Sequence, residues 1–245
     1  MAKAAKGGVF TATALVALTA AAAPAQGGLP QGSEKVNLNP ANFTTKIDNV
    51  YWPMKPGTRW VYRETEPGEP NLRVVVTVTR KTKKIANGVT ARVVHDVVRE
   101  GNELVEVTDD YYAQDRRGNV WYLGEFTKEY ENGEFRSTEG SFEAGVNGAQ
   151  AGILMPARPR PGLRYRQEYL KGEAEDKASV VSVRERAEVP FGFFGKRVLM
   201  TRDVNPLEPR VLEFKFYARG VGPILALNVS GGSGREELVS FRRGR

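Results

Sequence analysis

The sequence predicts an all-β fold in which a single curved antiparallel meander forms a barrel or a two-lobed clam. From residue 51 onward, short runs rich in Val, Tyr, Phe and Thr recur, and these residues suit a pleated, half-buried surface. Turn residues separate the runs, as they do between the short strands of a meander. Convincing helical periodicity is missing from the same region.

The first 25 residues have the organisation of a secretory signal peptide. Lys3 and Lys6 form a basic start, residues 9–23 are apolar, small or Thr, and Ala23-Pro24-Ala25 supplies small residues at the cleavage positions. The apolar run is shorter than the ~20 residues of a membrane span. We therefore expect cleavage near Ala25, no transmembrane segment, and a secreted or periplasmic location.

Residues 26–50 are polar, with Gly, Gln, Asn and Pro and little periodicity, which predicts a flexible tether. The all-β domain is expected to span residues 51–243, a length that suits one domain with a packed core. Six runs within it are strand candidates, because β-branched and aromatic residues dominate them. They are residues 72–80, 89–99, 103–115, 180–186, 196–204 and 211–219.

Turn sequences fall between these runs. Asn87-Gly88, Gly101-Asn102, Gly118-Asn119 and Asn132-Gly133 all supply residues that accept positive φ. The last of these lies in the stretch 130–135 between two aromatic residues, and this arrangement predicts a tight hairpin.

The chain also shows weak self-similarity, which suggests two related halves at about residues 51–124 and 156–230. Short matching segments recur in the same order, 105 to 107 residues apart. They are KPGTRW at 55–60 with RPGLRY at 160–165, Asp96-Val97 with Asp203-Val204, and Tyr112-Ala113 with Tyr217-Ala218. Two explanations stay open: an internal duplication, and the reuse of one strand pattern by any antiparallel meander.

The residue inventory removes several classes of chemistry. The chain has no Cys, which excludes disulfides, thiolate metal sites and a lipid anchor on an N-terminal Cys. His95 is the single His, so three-His zinc sites and HExxH metalloproteases are excluded. On a strand, His95 and Asp96 point to opposite faces, and no G-x-S-x-G elbow supplies a Ser nucleophile. We expect no catalytic residue and favour a protein that is not an enzyme.

Acidic residues concentrate in one part of the chain. Residues 96–145 contain 13 Asp or Glu against five Lys or Arg, although the whole chain carries a net charge of +7. Basic residues elsewhere alternate with apolar ones as on solvated β faces, and with export this argues against a nucleic-acid partner.

Four of these acidic residues are the candidate metal ligands, with Ca²⁺ as the one cofactor considered, because Ca²⁺ prefers several carboxylate oxygens. They are Glu125, Glu129, Glu139 and Glu143. A solvated acidic face and a carboxylate-based hydrolase of extracellular polysaccharide are the alternatives.

Residues 51–62 (YWPMKPGTRWVY) resemble the opening strand of a widespread group of uncharacterised exported bacterial proteins. Residues 112–124 (YAQDRRGNVWYLG), 140–145 (GSFEAG) and 217–222 (YARGVG) are similar to later segments of that group, so the resemblance covers roughly residues 51–225. It carries no established reaction. By analogy it implies a curved antiparallel sheet with an open apolar cavity, which in some proteins carries lipid. Many members are lipid-anchored through a Cys that this chain lacks.

The expected function is binding. Strand content, export and the missing nucleophile favour a non-enzymatic protein that holds a small amphipathic or lipid-like ligand in an apolar interior or an aromatic mouth. The candidate ligand contacts are Tyr111, Tyr112, Trp121, Tyr122, Phe214 and Phe216. The alternatives are an interaction or structural module of the envelope, and the polysaccharide hydrolase. A binding protein predicts an interior cavity, whereas an interaction module predicts a filled interior and an exposed apolar patch. The oligomeric state stays open.

Overall fold

The computed structural model describes residues 28–245, so the predicted signal peptide lies outside the described residues. Within that range the chain forms strands and one 3₁₀ turn, Pro40–Asn42, with no α-helix. No helix of the described residues is long and apolar enough to cross a membrane.

The fold class predicted from the sequence is confirmed, because sixteen strands form one antiparallel sheet. The strands are β1 (Phe43–Thr44), β2 (Arg59–Thr65), β3 (Leu72–Lys84), β4 (Thr90–Glu100), β5 (Glu103–Asp115), β6 (Val120–Glu131), β7 (Glu134–Ser137), β8 (Phe142–Glu143), β9 (Gln150–Met155), β10 (Arg164–Arg166), β11 (Glu168–Tyr169), β12 (Lys177–Val189), β13 (Gly192–Val204), β14 (Leu212–Ala218), β15 (Gly222–Ser230) and β16 (Arg235–Arg242).

The sheet is a meander that nearly closes into a barrel. Its strand order is β10-β12-β13-β14-β15-β16-β2-β3-β4-β5-β6-β9-β11, while β1 pairs with β5, and β7 and β8 pair with β6. The two ends of this order, β10 and β11, are separated in the chain by Gln167 alone. β10 pairs with β12 and β11 pairs with β9, so one interrupted strand joins both edges of the sheet. Gly152 permits the close approach of β9 here, since an added Cβ would lie 2.2 Å from the backbone of Gln167.

Each of the six runs predicted as strands is a strand in the structure. The run at 103–115 coincides with β5, and the others differ from the structure by up to four residues at an end. The hairpin predicted at Asn132-Gly133 is also confirmed. Glu131 pairs with Glu134 across it, and the two turn residues have positive φ, 53° and 76°.

Alternate residues of the long strands face the barrel interior. In β2 these are Trp60, Tyr62 and Glu64, and the register places Val76 opposite Trp60 and Val74 opposite Tyr62. Trp60, Tyr62 and Val74 are buried. The inward face of β2 and β3 therefore carries aromatic and β-branched side chains together with one carboxyl group, that of Glu64.

From residue 28 onward, the segment for which the sequence predicts a flexible tether lies against the barrel. β1 pairs with β5, the backbone N–H of Arg166 donates to the carbonyl of Pro30 (2.6 Å), and Ile47 forms a bridge with Met54. The cause is a set of single apolar residues that pack on the core and, being isolated among polar neighbours, give no periodic signal. They are Leu29, Val36, Leu38, Phe43 and Ile47.

The two similar halves of the sequence share the details of one turn. Residues 55–58 close by a bond from Thr58 N–H to the Lys55 carbonyl (2.9 Å), and residues 160–163 close in the same way (3.0 Å). The third and fourth residues of each turn exchange backbone hydrogen bonds with a strand residue, Val78 in the first half and Val180 in the second. The glycines of the two turns have φ of 86° and 84°.

The strand registers of the two halves also correspond. Asp96 pairs with Val76 on one side and Thr108 on the other. Asp203 pairs in the same way with Ala178 and Glu213.

A bulge occurs at the same place in both halves, directly before a Tyr. It lies between Tyr111 and Tyr112 in the β5–β6 pairing and between Phe216 and Tyr217 in the β14–β15 pairing. These shared details support the proposal of an internal duplication, in which Asp110 occupies the position of Lys215.

Candidate functional site

A cavity of about 320 Å³ lies inside the barrel, against strands β2 to β5 and β14 to β16. Its wall combines aromatic rings with carboxyl groups and a single Lys, Lys215. The aromatic residues are Trp52, Trp60, Tyr62, Tyr112 and Tyr217. The carboxyl groups belong to Glu64, Asp96, Asp110, Glu213 and Glu236.

Strand alternation brings these charged residues to the interior. In β14, Glu213, Lys215 and Tyr217 line the cavity, while the residues between them face the other side of the sheet. The pairing of β16 with β2 places Glu236 opposite Glu64. Carboxyl groups from five different strands therefore converge on one space.

Three of the aromatic rings that line the cavity, those of Trp52, Tyr112 and Tyr217, form a cluster. Trp52 precedes β2, and its ring centroid lies 6.4 Å from that of Tyr112 and 5.5 Å from that of Tyr217. Elsewhere in the wall, Trp60 Nε1 donates to the carbonyl of Val221 (2.8 Å). The Tyr62 hydroxyl donates to the carbonyl of Pro223 (3.0 Å). Because these polar atoms already have partners, both side chains offer chiefly their rings to the cavity.

Lys215 is neutralised within the wall. Its ammonium lies 3.0 Å from Glu213 and 3.6 Å from Asp203. Burial disfavours its charge, but the carboxylates of Asp203 and Glu213 outweigh burial and hold the pKa of Lys215 well above its ordinary value. About a third of the Lys215 side chain, 34%, is accessible. Because Lys215 lines the cavity, we infer that this accessible surface faces the cavity. The positive charge of Lys215 is thus balanced by the carboxylates of Glu213 and Asp203.

The other four carboxyl groups of the cavity have no ion-pair partner among residues 28–245. Burial, then the charge of Asp110, raises the pKa of Asp96 to about 8. Burial, then the charge of Glu64, raises the pKa of Glu236 to about 7. The pKa of Glu64 is raised in the same way by burial and by Glu213. Asp96 Oδ1 is buried and has no hydrogen-bond partner.

Asp110 extends this polar wall toward β6. The Tyr122 hydroxyl donates to Asp110 Oδ1 (2.8 Å), and the ring of Tyr122 stacks on that of Tyr112 at a centroid distance of 4.9 Å. Glu125 is the cross-strand partner of Asp110. Burial raises the pKa of both carboxyl groups, and the charge of Asp110 raises that of Glu125 further.

The structure divides the six predicted ligand contacts. Tyr112 lines the cavity and Tyr122 supports it through Asp110, whereas Tyr111, Phe214 and Phe216 alternate with cavity-lining residues and face the other side of the sheet. Lys83 lies over the ring of Tyr111 at 4.2 Å.

Trp121, the sixth predicted contact, belongs to a different environment. Its Nε1 donates to Asp115 (3.0 Å), and its ring meets Phe43 edge to face at 6.1 Å. Of the six, only Tyr112 and Tyr122 belong to the interior site.

The four predicted metal ligands do not come together. Glu125 lies beside Asp110, Glu129 accepts from the Ser137 hydroxyl (2.6 Å), and Glu139 is exposed. Glu143 pairs with Lys83 (2.7 Å). No group of three or more His, Cys, Asp or Glu in residues 28–245 is arranged to hold a metal ion.

His95 has a partner that the sequence analysis missed. Its Nδ1 lies 2.7 Å from Asp109 Oδ1 in a cross-strand pair, and both side chains are about 40% accessible, 41% and 42%. The adjacent Asp96 lines the cavity on the opposite face of β4, as alternation requires. The pair therefore lies on the outside of the barrel wall, away from the interior site.

A second concavity, the end groove, has a volume of about 650 Å³ and is formed largely by residues 44–58 and the C-terminal strand region. Ile47, Val50, Pro53, Met54 and Phe241 give it apolar walls. Its charged residues are Lys46, Asp48, Lys55, Arg92 and Arg243. Positive charge therefore exceeds negative charge around an apolar surface.

The sequence analysis also missed most of the interior site. Trp52, Asp96, Lys215 and Glu236 were not among the predicted contacts. One sequence signal for this site was available: charged residues alternate with aromatic ones in residues 213–217 (EFKFY). The conventional assignment puts the apolar residues of such a strand inside, which turns Glu213 and Lys215 outward.

Comparison with known proteins assigns no function. No family model matches the chain, and no curated protein matches it. A solved structure to which it is similar is described as "a putative lipoprotein from Parabacteroides distasonis ATCC 8503". The two share 13% sequence identity with a TM-score of 0.36, over 79% of this chain and 99% of that chain. Likeness at this level identifies neither a family nor an activity.

Proposed function

We propose that this protein is an exported, non-enzymatic binding protein that holds a small amphipathic ligand inside its barrel. The observation that carries the proposal is the cavity of about 320 Å³, whose wall combines aromatic rings with carboxyl groups. Small-ligand sites are typically concave, with mostly apolar walls and a few polar groups that fix orientation. Its volume is equivalent to roughly ten water molecules at ~30 Å³ each, which suits a small molecule.

The division of the wall explains why an amphipathic ligand fits. Trp60 and Tyr62 use their polar atoms on backbone carbonyls, so their rings form an apolar surface. Asp96 and Glu236 offer polar groups without protein ion-pair partners in the described chain. A molecule with an apolar body and one polar end satisfies both surfaces.

Native mass spectrometry of the protein purified from its own host tests this proposal. We expect extra mass that is lost on denaturation, and binding in solution that changes the fluorescence of Trp52 and Trp60. The variant Trp121→Phe removes the third Trp of the chain and is the background for the fluorescence measurement. Bare protein in the native spectrum, together with unchanged fluorescence on adding small amphiphiles, would contradict the proposal.

A lipid-like ligand is the second candidate, and the end groove favours it. Apolar walls with Lys55 and Arg243 nearby are complementary to an acyl chain with an anionic head. Titration with a medium-chain fatty acid tests this candidate. The double change Lys55→Gln with Arg243→Gln should weaken binding by about tenfold, whereas Lys128→Gln with Arg136→Gln, on β6 and β7, should leave it unchanged.

A further inference from the structure

We propose that the ligand of the interior cavity is a small organic ammonium ion, a primary or secondary amine on an apolar body, whose charge pairs with Asp96. This inference rests on the proposed function and specifies the ligand class of the same cavity. It follows from the charge, the hydrogen bonding and the aromatic content of the wall.

The charges in the wall of the cavity are not balanced. Of the five cavity carboxyl groups, Glu213 alone has a cationic partner in the described chain, Lys215 at 3.0 Å. Unpaired carboxyl groups in a low-dielectric interior are costly, and proteins normally pair or solvate them. A bound cation supplies the missing charge.

Asp96 has a carboxyl oxygen without a hydrogen-bond partner. Its Oδ1 atom is buried and accepts no hydrogen bond, although buried polar atoms nearly always have a partner. An N–H of a ligand ammonium is a suitable donor at this place. This favours a primary or secondary amine over a quaternary ammonium ion, which has no N–H to donate.

The wall of the cavity is also aromatic. Cations are attracted to the faces of Trp and Tyr rings, most strongly where water is reduced. The ring of Trp52 packs against those of Tyr112 and Tyr217 in the cavity wall, which Trp60 and Tyr62 also line. Rings beside a carboxyl group suit an organic cation, whereas a hard metal ion needs several oxygens around one point, an arrangement that no group of three or more carboxyl groups in residues 28–245 provides.

Three probes that share a phenylethyl body test the charge requirement: 2-phenylethylamine, 2-phenylethanol and 3-phenylpropionate. Calorimetric titration of the purified protein at pH 8, in borate buffer, which contains no amine and does not precipitate Ca²⁺ as phosphate does, gives their affinities. We expect the amine to bind at least tenfold more tightly than the alcohol, and the carboxylate to bind most weakly.

Two matched variants locate the charge. Asp96→Asn should weaken amine binding at least tenfold and leave alcohol binding within twofold. Asp109→Asn is the control, since Asp109 lies on the neighbouring strand and pairs with His95 on the outside of the barrel. Glu236→Gln should give a smaller loss in the same direction and provides a second test if Asp96→Asn does not fold.

The outcomes separate the two proposals. If all three probes bind alike and Asp96→Asn changes nothing, the ammonium inference is overturned and an interior binding function stands. If Ca²⁺ binds and displaces the amine at equal concentration, the organic-cation class is overturned. If no probe binds and the native spectrum shows bare protein, the proposed function falls together with the inference.

Discussion

Replacing Asp96 by Asn should change how the stability of the folded protein depends on pH. Burial raises the pKa of Asp96 from its ordinary 3.8 to about 8, so the folded state holds this proton more tightly than the unfolded chain. Linkage gives the sign of the effect. The contribution of Asp96 to the unfolding free energy is greatest below pH 3.8, falls as the pH rises, and stops falling above about pH 8. Asn cannot titrate, so the variant lacks this loss.

The magnitude follows from the size of the shift. A shift of one pKa unit corresponds to ~1.4 kcal/mol, and about four units set a ceiling of roughly 6 kcal/mol. Asp96 lines an open cavity, so water and relaxation reduce this value. We compare the unfolding free energy of Asp96→Asn with that of the unchanged protein. From pH 5 to pH 8 this difference should shift by about 1–3 kcal/mol in favour of the variant.

Urea unfolding followed by tryptophan fluorescence at pH 5, 6, 7 and 8 measures this difference. Buffers without amines are needed, because an amine that binds the cavity would stabilise the unchanged protein. Asp109→Asn is the control for adding an amide on the outside of the barrel. Parallel stability curves for the unchanged protein and Asp96→Asn would refute the reasoning that Asp96 is a buried, unpaired carboxyl group.

Three further predictions concern the ligand and the turns. Affinity for 2-phenylethylamine should rise from pH 6 to pH 8 by up to about tenfold per pH unit, because protons compete with the amine for Asp96. The titratable groups that face Asp96 are Asp110, Glu106, Glu236 and Tyr62. A calorimetric affinity that does not change with pH would contradict this prediction. Trp52→Ala should weaken amine binding about three- to tenfold in the same titration, whereas an equal loss in Trp121→Phe would show a nonspecific effect. Gly57→Ala and Gly162→Ala should each lower the unfolding free energy by about 1 kcal/mol, because both glycines have positive φ. If urea unfolding showed that only one of the two variants is destabilised, the inference that both halves share one turn conformation would be contradicted.

The strands could be predicted from the sequence because their local pattern and their tertiary role agree. In β5, β-branched and aromatic residues fill a run whose ends match the structure, and the Asn132-Gly133 hairpin follows from backbone preference alone. Residues 28–50 were harder, because each apolar contact, such as Phe43 and Ile47, is isolated among polar neighbours. No periodic signal marks such a segment.

The inward face of the strands could not be predicted in the same way. The usual rule places apolar residues inside, yet in β14 the inward residues at the cavity are Glu213, Lys215 and Tyr217. The rule fails because this interior contains a polar cavity and the outer face carries partly buried residues such as Phe216. Cross-strand register was also needed to pair His95 with Asp109, which are 14 residues apart.

The two halves of the barrel place different residues at corresponding positions, and this difference yields a final prediction. In the second half, Asp203 has Lys215 nearby at 3.6 Å. In the first half, the position of Lys215 is occupied by Asp110, so Asp96 faces another carboxyl group instead of an ammonium. Under the proposed function, a ligand therefore supplies to Asp96 the cation that Lys215 supplies to Asp203.

Asp110→Lys should give the first half an internal cation. The new ammonium would pair with Asp96, lower its pKa and compete with the ligand, so 2-phenylethylamine should bind at least tenfold more weakly while the protein stays folded. The pH-dependent loss of stability assigned to Asp96 should also shrink, because a carboxylate beside an ammonium stays ionised at lower pH. Asp109→Lys adds the same charge on the outside of the barrel and should leave amine affinity within about twofold. Equal amine binding by both variants would show that the charge of the cavity does not select its ligand.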